Sequence, residues 1–565
     1  MITSKIKRNR AALSSIAPAE SRGAALLRLA RRLALALPFC AILAAAAVAT
    51  SCDDYLDVLP DNRAALDTDD KITDLLVSAY PVTSSFMLTE LYSDNTDRND
   101  ESSAYSAFRQ PQEQAATWQD ITATYQDTPY ALWDHCFKSI AAANNVIFAI
   151  NDMGRPARLN AQLGEALLCR AWCHFMLANV FCLPYSPKTC DSDLGITYIN
   201  RVLTEVTPVY PRGTMAELYR NIAADIEEGL PLISDELHTV TKYHFNTRAA
   251  CAFAARFYLY YMQDDRSNLD RCIQYATRVL GSQPGEMLRD WASLGKITIV
   301  NGQRAEAYVS IDSKANLLIL STNSYWQWLY GPTAVGFKYT HNDKIAETET
   351  VKARGFWGTG NNFRFSIDVA SDGPKVMMYK LPMSFQYTDV TKGIGNPKMM
   401  VPVLTTDALI LERAEAYALK GDYSHAYEDL TTWMQAFTTS AFSVDAALLG
   451  DVYGEKVGTG MFSTKGMDYY TPENPTPKKR LDPDFTVTPG EQENLIHAIL
   501  HARRVTTLHE GQRWQDVKRY GIEIYRRASN DGNITVYDTM RKDDPRRAIQ
   551  LPENVVKAGI TPNPR

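Results

Sequence analysis

Apolar residues recur at helical spacing in two blocks of the chain. In the first, Trp133, Phe137, Ile140, Ala141, Asn144, Ile147 and Phe148 advance by steps of 4, 3, 1, 3, 3 and 1, which draws one face of an amphipathic helix. Residues 161–182 are apolar nearly all round (Leu167, Ala171, Phe175, Ala178), which predicts a central helix. Leu218, Ile222, Ile226 and Leu230 mark a third helix, and Ala249–Met262 and Leu269–Leu280 two more. In the second block, Leu411–Leu419 and then Tyr423, Ala426, Leu430, Trp433 and Phe437 form a helical hairpin broken at Gly421-Asp422. Residues 491–527 carry a last pair. Helix pairs recurring at roughly 30–45 residues predict TPR-like stacking, although the consensus repeat motif is absent. The expected fold is mostly α, built of stacked helical hairpins with long irregular loops and a few short strands.

The pattern changes between the blocks. Residues 283–405 and 438–490 are rich in Gly, Pro, Asn, Thr and aromatics with little helical period. Lys296–Val300 and Leu317–Ser321 alternate and predict short strands in ordered loops. The first residues differ again. Eight Lys or Arg stand against Glu20 alone before an apolar run from Leu33 to Ala49, which ends at Ala49-Thr50-Ser51-Cys52. A basic segment, an apolar run and small residues before a cut site mark a secretory signal, and this run is short of the ~20 residues that span a bilayer. The closing Cys resembles a lipobox, so residues 1–51 read as a signal and Cys52 as a lipidated first residue, the tether of an exported body. The division expected beyond it is 52–282, with TPR-like helix pairs, and 283–565, loop-rich with helix pairs at 405–438 and 491–527, forming one unit.

Without residues 1–51 the chain keeps 51 basic and 64 acidic residues, a net charge of −13. That balance speaks against a nucleic-acid partner, which requires clustered cations. Nine cysteines leave seven after Cys40 and Cys52 are set aside (136, 169, 173, 182, 190, 251 and 272), an odd number inside apolar helical patterns, which reads as small buried hydrophobes. Cys169 and Cys173, and His497 and His501, are each four apart on a helix, but neither pair has partners to complete a metal site, and the histidines read as a helix-surface pair. Asp94-Asn-Thr-Asp97-Arg-Asn-Asp100-Glu101 lacks the glycine and spacing of a calcium loop and reads as a solvated loop. No cofactor is implied. Walker, dinucleotide and G-x-S-x-G motifs are absent, and His509-Glu510 has Arg513 where a zincin needs its second histidine. The chain does not read as an enzyme.

Several segments resemble the SusD/RagB family of nutrient-binding outer-membrane lipoproteins of Bacteroidetes. They are Ser51-Cys52-Asp53-Asp54-Tyr55-Leu56-Asp57-Val58 with Pro60, Trp133…Ile140…Ala143-Asn144-Asn145-Val146-Ile147, Glu165–Phe175 running into Leu183-Pro184-Tyr185, and Arg503-Arg504-Val505…His509-Glu510-Gly511-Gln512-Arg513-Trp514-Gln515-Asp516-Val517-Lys518-Arg519-Tyr520-Gly521. The last is the most specific; the C-terminus from Gln550 matches only in part. The resemblance implies a TPR-bearing fold on the outer face of the outer membrane and a SusC-like TonB-dependent transporter as partner. It also implies a glycan ligand or, in the RagB branch, a peptide, and reads Asp53 and Asp54 as a surface-export signal. On the residues themselves, Arg504, Glu510, Arg513, Asp516 and Arg519 alternate in sign at helical spacing and are expected to pair and fix one helix against another.

The chain has 30 Tyr, 9 Trp and 19 Phe, enough flat rings both to fill a core and to stack on sugar faces. The candidate ligand residues are Tyr325, Trp326, Trp328 and Tyr330 in Tyr325-Trp326-Gln327-Trp328-Leu329-Tyr330, Trp357 in the same segment together with Tyr339, and Trp118 in a cluster with Tyr105 and Tyr125. At least one of Trp326 and Trp328 is expected to touch ligand. The alternative role of each ring is core packing. A surface glycan-binding and import protein is the leading reading. A peptide binder of the same architecture, a secreted hydrolase with two carboxylates ~5–10 Å apart and a TPR scaffold without a small ligand are the others.

Overall fold

Local chemistry starts and stops the helices where the pattern places them. In the computed structural model, which describes residues 66–99, 109–203, 211–332, 338–369, 375–457, 465–530 and 533–565, Thr128 opens the first long helix by accepting the Ala131 N–H, with Pro129 at the first helical position. The signal segment, Cys52 and Tyr105 lie outside the described residues. Three short helices, α1 (Asp69–Leu76), α2 (Phe86–Tyr92) and α3 (Gln110–Ala116), precede α4 (Pro129–Asp152) and α5 (Asn160–Phe181). Then come α6 (Met215–Gly229), opened by a Thr214/Glu217 capping box, α7 (Thr247–Tyr260), capped by Asn246, and α8 (Ser267–Leu280). A one-turn helix, α9 (Trp326–Tyr330), follows in the irregular part. The second block holds α10 (Thr406–Lys420) and α11 (Tyr423–Phe437), then α12 (Ala446–Tyr453), α13 (Glu491–Thr506) and α14 (Arg513–Arg519).

Successive helices pack as hairpins: α4 on α5, α5 on α6, α7 on α8 and α10 on α11, with α10 bridging to α8 and α13. This is the stacked, TPR-like architecture the periodicity predicts. The α5–α6 contact is close because glycines meet there. A Cβ on Gly164 would lie 2.8 Å from the Gly229 carbonyl oxygen, so a larger residue would push the two helices apart. α5 is mostly apolar and is buried from Gln162 to Ala178, with Glu165, Arg170 and His174 enclosed among its apolar residues. All seven described cysteines are free and buried.

The strands are β1 (Asp97–Arg98), β2 (Asn316–Asn323), β3 (Tyr339–Thr340), β4 (Asp368–Val369), β5 (Val376–Met377), β6 (Met383–Asp389), β7 (Ile394–Thr405), β8 (Ile524–Asn530) and β9 (Asn533–Met540). β2 contains the predicted Leu317–Ser321 and pairs antiparallel with β7, which pairs with β6. A second sheet, ordered β3-β1-β8-β9, joins distant parts of the chain, with β1 parallel to β8. Two expectations fail locally. Lys296–Val300 forms no strand, because Lys296 is the C-cap of a one-turn helix and Val300 begins a 3₁₀ turn. The last helix of the 491–527 pair ends at Arg519, and Ile524 begins a strand.

The charged segment 503–527 is buried, and its partners come mostly from elsewhere in the chain. Arg513 donates Nε and Nη2 to Asp94 at 2.8 and 2.9 Å, and Arg504 donates to Asn95 Oδ1 and the Asp94 carbonyl at 2.7 Å each. Glu349 receives Lys479 at 2.5 Å and Arg527 at 2.8 Å, and Arg527 also reaches Asp97. Burial pushes the Glu349 carboxyl up, yet Lys479, Arg527 and Arg504 together hold it down at about 2. Glu415 accepts from Arg503 at 2.6 Å and from Arg519 and Tyr520 at 2.7 Å each, and the two guanidinium groups overcome burial to hold it at about 2. Within the segment itself Arg503 pairs with Asp516, whereas Glu510 pairs with Lys380. Asp94 and Asp97 are therefore buried counter-ions, in place of the solvated loop expected. Gly511, at φ +69, lets this segment approach α2, where a Cβ would meet Thr89 Oγ1 at 2.2 Å. His497 and His501 are also buried, not a surface pair, since α13 is enclosed by α10 and α12, and His501 meets the Tyr453 hydroxyl at 2.9 Å.

Candidate functional site

The aromatic segment at 325–330 is built outward from β2. After β2, Ser324 donates its hydroxyl to Asp127 at 2.6 Å, and Asp127 also accepts the Tyr325 N–H at 2.7 Å. Ser324 Oγ in turn accepts the Trp326 N–H at 3.0 Å, which starts α9. Asp127 is buried with φ +63, and burial pushes its carboxyl up to about 6 despite these two donors.

A single helical turn then decides which rings face water. Successive residues rotate by about 100°, so positions three and four apart share a face and positions two apart oppose. Trp326, Leu329 and Tyr330 turn inward and are buried. The Trp326 indole N–H donates to the His509 carbonyl at 2.6 Å, and Tyr330 stacks on the His509 ring at 4.7 Å. Tyr325 and Trp328 turn outward, half-buried, with ring centroids 4.6 Å apart. Both rings carry the Arg109 guanidinium, which lies 4.0 Å from the Tyr325 centroid and 4.7 Å from that of Trp328. Tyr125, 38% exposed, completes the group at 5.5 Å from Arg109.

The six candidate rings are thus not one site. Trp326 and Tyr330 are core on the inner face of α9. Trp357 is fully buried against Trp433 and His501, at 5.5 and 4.6 Å. Trp118 is buried with its N–H on the Tyr92 carbonyl and the Arg526 guanidinium 4.3 Å over its ring. Their faces are spent on protein contacts. Tyr339 is buried as well. Tyr325 and Trp328 remain at the surface, joined by Arg109 and Tyr125. Arg109 went unnoticed in the sequence: it is the residue before α3, and no local pattern connects it to residue 325.

What separates this platform from Trp118 is exposure: its rings also carry a guanidinium, but they are only half-buried and can present their exposed surface to apolar C–H groups, with Arg109 donors for hydroxyl or carboxylate oxygens. The clefts elsewhere are of another kind. One of about 600 Å³ between α8, α10 and α11 is lined by Arg413, Tyr417, His425 and Asp429, and Arg413 holds Asp429 in a bidentate pair. One of about 360 Å³ carries Asp482 and Asp484, both within ion-pair distance of Lys542. None of the described helices is long and apolar enough to cross a membrane.

Comparison with known proteins adds to this geometry. Residues 54–259 match a SusD-like family described as "Starch-binding associating with outer membrane". No curated protein matches the sequence. Among solved structures, a SusD superfamily protein from Bacteroides vulgatus ATCC 8482 is 19% identical, with a TM-score of 0.57 over 88% of this chain and 98% of its own. Another, from Bacteroides thetaiotaomicron VPI-5482, is 16% identical, with a TM-score of 0.58 over 87% and 98%. A SusD-like carbohydrate binding protein from Bacteroides vulgatus ATCC 8482 is 13% identical, with a TM-score of 0.54 over 86% and 96%. In sequence, residues 54–259 are thus similar to a SusD-like family, and the described residues take the fold of these SusD superfamily structures.

Proposed function

We propose that the protein is a cell-surface glycan-binding lipoprotein, not an enzyme, that takes an oligosaccharide on Tyr325, Trp328 and Tyr125 and passes it to a SusC-like TonB-dependent transporter. The observation that carries this reading is the outward Tyr325–Trp328 pair capped by Arg109. Two tilted rings on one helical turn suit two faces of a curved sugar chain, and the guanidinium supplies donors for its hydroxyl groups. The starch-binding description of the matched family and the carbohydrate-binding description of one structural neighbour support the same class of ligand. Lipid on Cys52 provides the anchor, since the net charge of −13 beyond residue 51 gives no electrostatic attraction to anionic lipid. Probing a glycan array and a peptide library with the full chain and with Trp328→Ala tests this reading. It expects glycan signals that the variant loses. Binding confined to peptides, or glycan signals equal in both proteins, would overturn it.

A further inference from the structure

Two histidines on the loop between α6 and α7 converge on one buried carboxylate. Glu165 lies in α5 with its side chain 1% exposed. Its Oε2 is 2.7 Å from His238 Nε2, and its Oε1 is 2.8 Å from His244 Nδ1. The two imidazoles lie face to face, centroids 3.5 Å apart and 13° from parallel. Tyr80 donates its hydroxyl to Glu165 Oε1 at 2.7 Å and accepts the Phe245 N–H at 2.6 Å, which ties the carboxylate to the loop. Both histidine side chains keep a small edge in solvent, at 14% and 16% exposure, while the carboxylate is enclosed.

We propose that Glu165, His238 and His244 form a binding site for a divalent transition cation of the zinc class. The three donor atoms all lie within 4.8 Å of one another. Zinc–ligand bonds of about 2.0–2.2 Å set tetrahedral ligand atoms about 3.3 Å apart, so the donors are near enough to converge once the stacked imidazoles tilt out of parallel to bring one ion into both ring planes. Two imidazoles and one carboxylate select zinc-like metals over calcium or magnesium, which take oxygen ligands. Three protein ligands leave a fourth position for water on the side where the rings meet solvent. Tyr80 plays the outer-shell part, fixing the ligand carboxylate as second-shell hydrogen bonds do in metal sites.

None of these residues belongs to the aromatic platform or to the Cys169–Cys173 and His497–His501 pairs.

The test uses the full chain in detergent, stripped with a chelator and titrated with Co²⁺ and then Zn²⁺. One Co²⁺ per chain should bind, with the strong visible absorption of a tetrahedral nitrogen and oxygen site, and Zn²⁺ should displace it. His238→Ala and His244→Ala should abolish the signal, and Glu165→Gln should weaken it. Tyr80→Phe should reduce affinity about 10–100-fold. His425→Ala, at an exposed histidine elsewhere, should leave it unchanged. Far-UV circular dichroism checks that each variant is folded. No stoichiometric Co²⁺ binding in the unmutated chain overturns the proposal, as do thiolate charge-transfer bands or binding that survives in both histidine variants. The triad would then be a hydrogen-bonded latch only.

Discussion

Replacing Asp94 by Asn tests whether segment 503–527 is held by counter-charge from the N-terminal part. Asp94 takes both Arg513 donors at 2.8 and 2.9 Å and lies 3.5 Å from Arg504 and 3.6 Å from Lys479. Four cations (Lys479, Arg504, Arg513, Arg527) share three carboxylates (Asp94, Asp97, Glu349), an excess of one positive charge among these described residues. Asn keeps the shape and removes the charge, which doubles that excess. At an effective dielectric of about 20, one such pair about 4 Å apart is worth about 4 kcal/mol. Breaking a buried pair by removing one partner costs about 3–5 kcal/mol, and that is the loss expected for Asp94→Asn. Lys479→Met removes a cation instead, brings the cluster to neutrality and keeps apolar contact with the Tyr470 ring, so its loss should stay under about 2 kcal/mol. Urea unfolding of both variants at neutral pH, followed by circular dichroism, measures the two losses. A loss under about 1 kcal/mol for Asp94→Asn, or an equal loss for Lys479→Met, would refute the reasoning.

Trp326→Ala should cost about 3–5 kcal/mol of stability as a core truncation, whereas Trp328→Ala should cost under about 1 kcal/mol, and melting curves of the two variants would show the split. Acid should unfold the protein through its buried carboxylates. Glu349 and Glu415 sit at about 2 when folded against an ordinary 4.5, so their stabilisation is complete above that value and is lost as pH falls toward 2. The loss should be on the order of 3 kcal/mol for each, visible as a falling urea midpoint, and a midpoint that stays flat through this window would contradict the pairing. Cys52→Ala should release the protein from the membrane fraction, and continued sedimentation with outer membranes would remove the tether.

The long helices were legible because each has an apolar face, or in α5 a mostly apolar circumference, that only a packed helix buries, whereas the short α1, α2, α3, α9 and α12 have too few turns to show a period. The aromatic site was half legible. Tyr325 to Trp328 stood out by composition, but a one-turn helix has too little sequence to display a period. Alternate positions therefore looked equivalent, when α9 sends Trp326 inward and Trp328 outward. Arg109 and Asp127, which cap and pin the platform, come from a region with no sequence link to it. Asp94 and Asp97 looked solvated because charge in a polar stretch usually is, and their partners, Arg513 and Arg527, lie 419 and 430 positions away. His238 and His244 share no metal-ligand motif, and only the fold brings Glu165 beneath them.

The central claim is that the outward rings of α9 bind a glycan. Isothermal titration of the full chain with an oligosaccharide selected on a glycan array, repeated with Tyr325→Ala/Trp328→Ala, tests it most directly. Stacking contributes about 0.5–1.5 kcal/mol per ring beyond area burial, so the double variant should bind at least about tenfold more weakly while melting at nearly the same temperature. Equal affinity in the two proteins would place the ligand elsewhere and contradict the account.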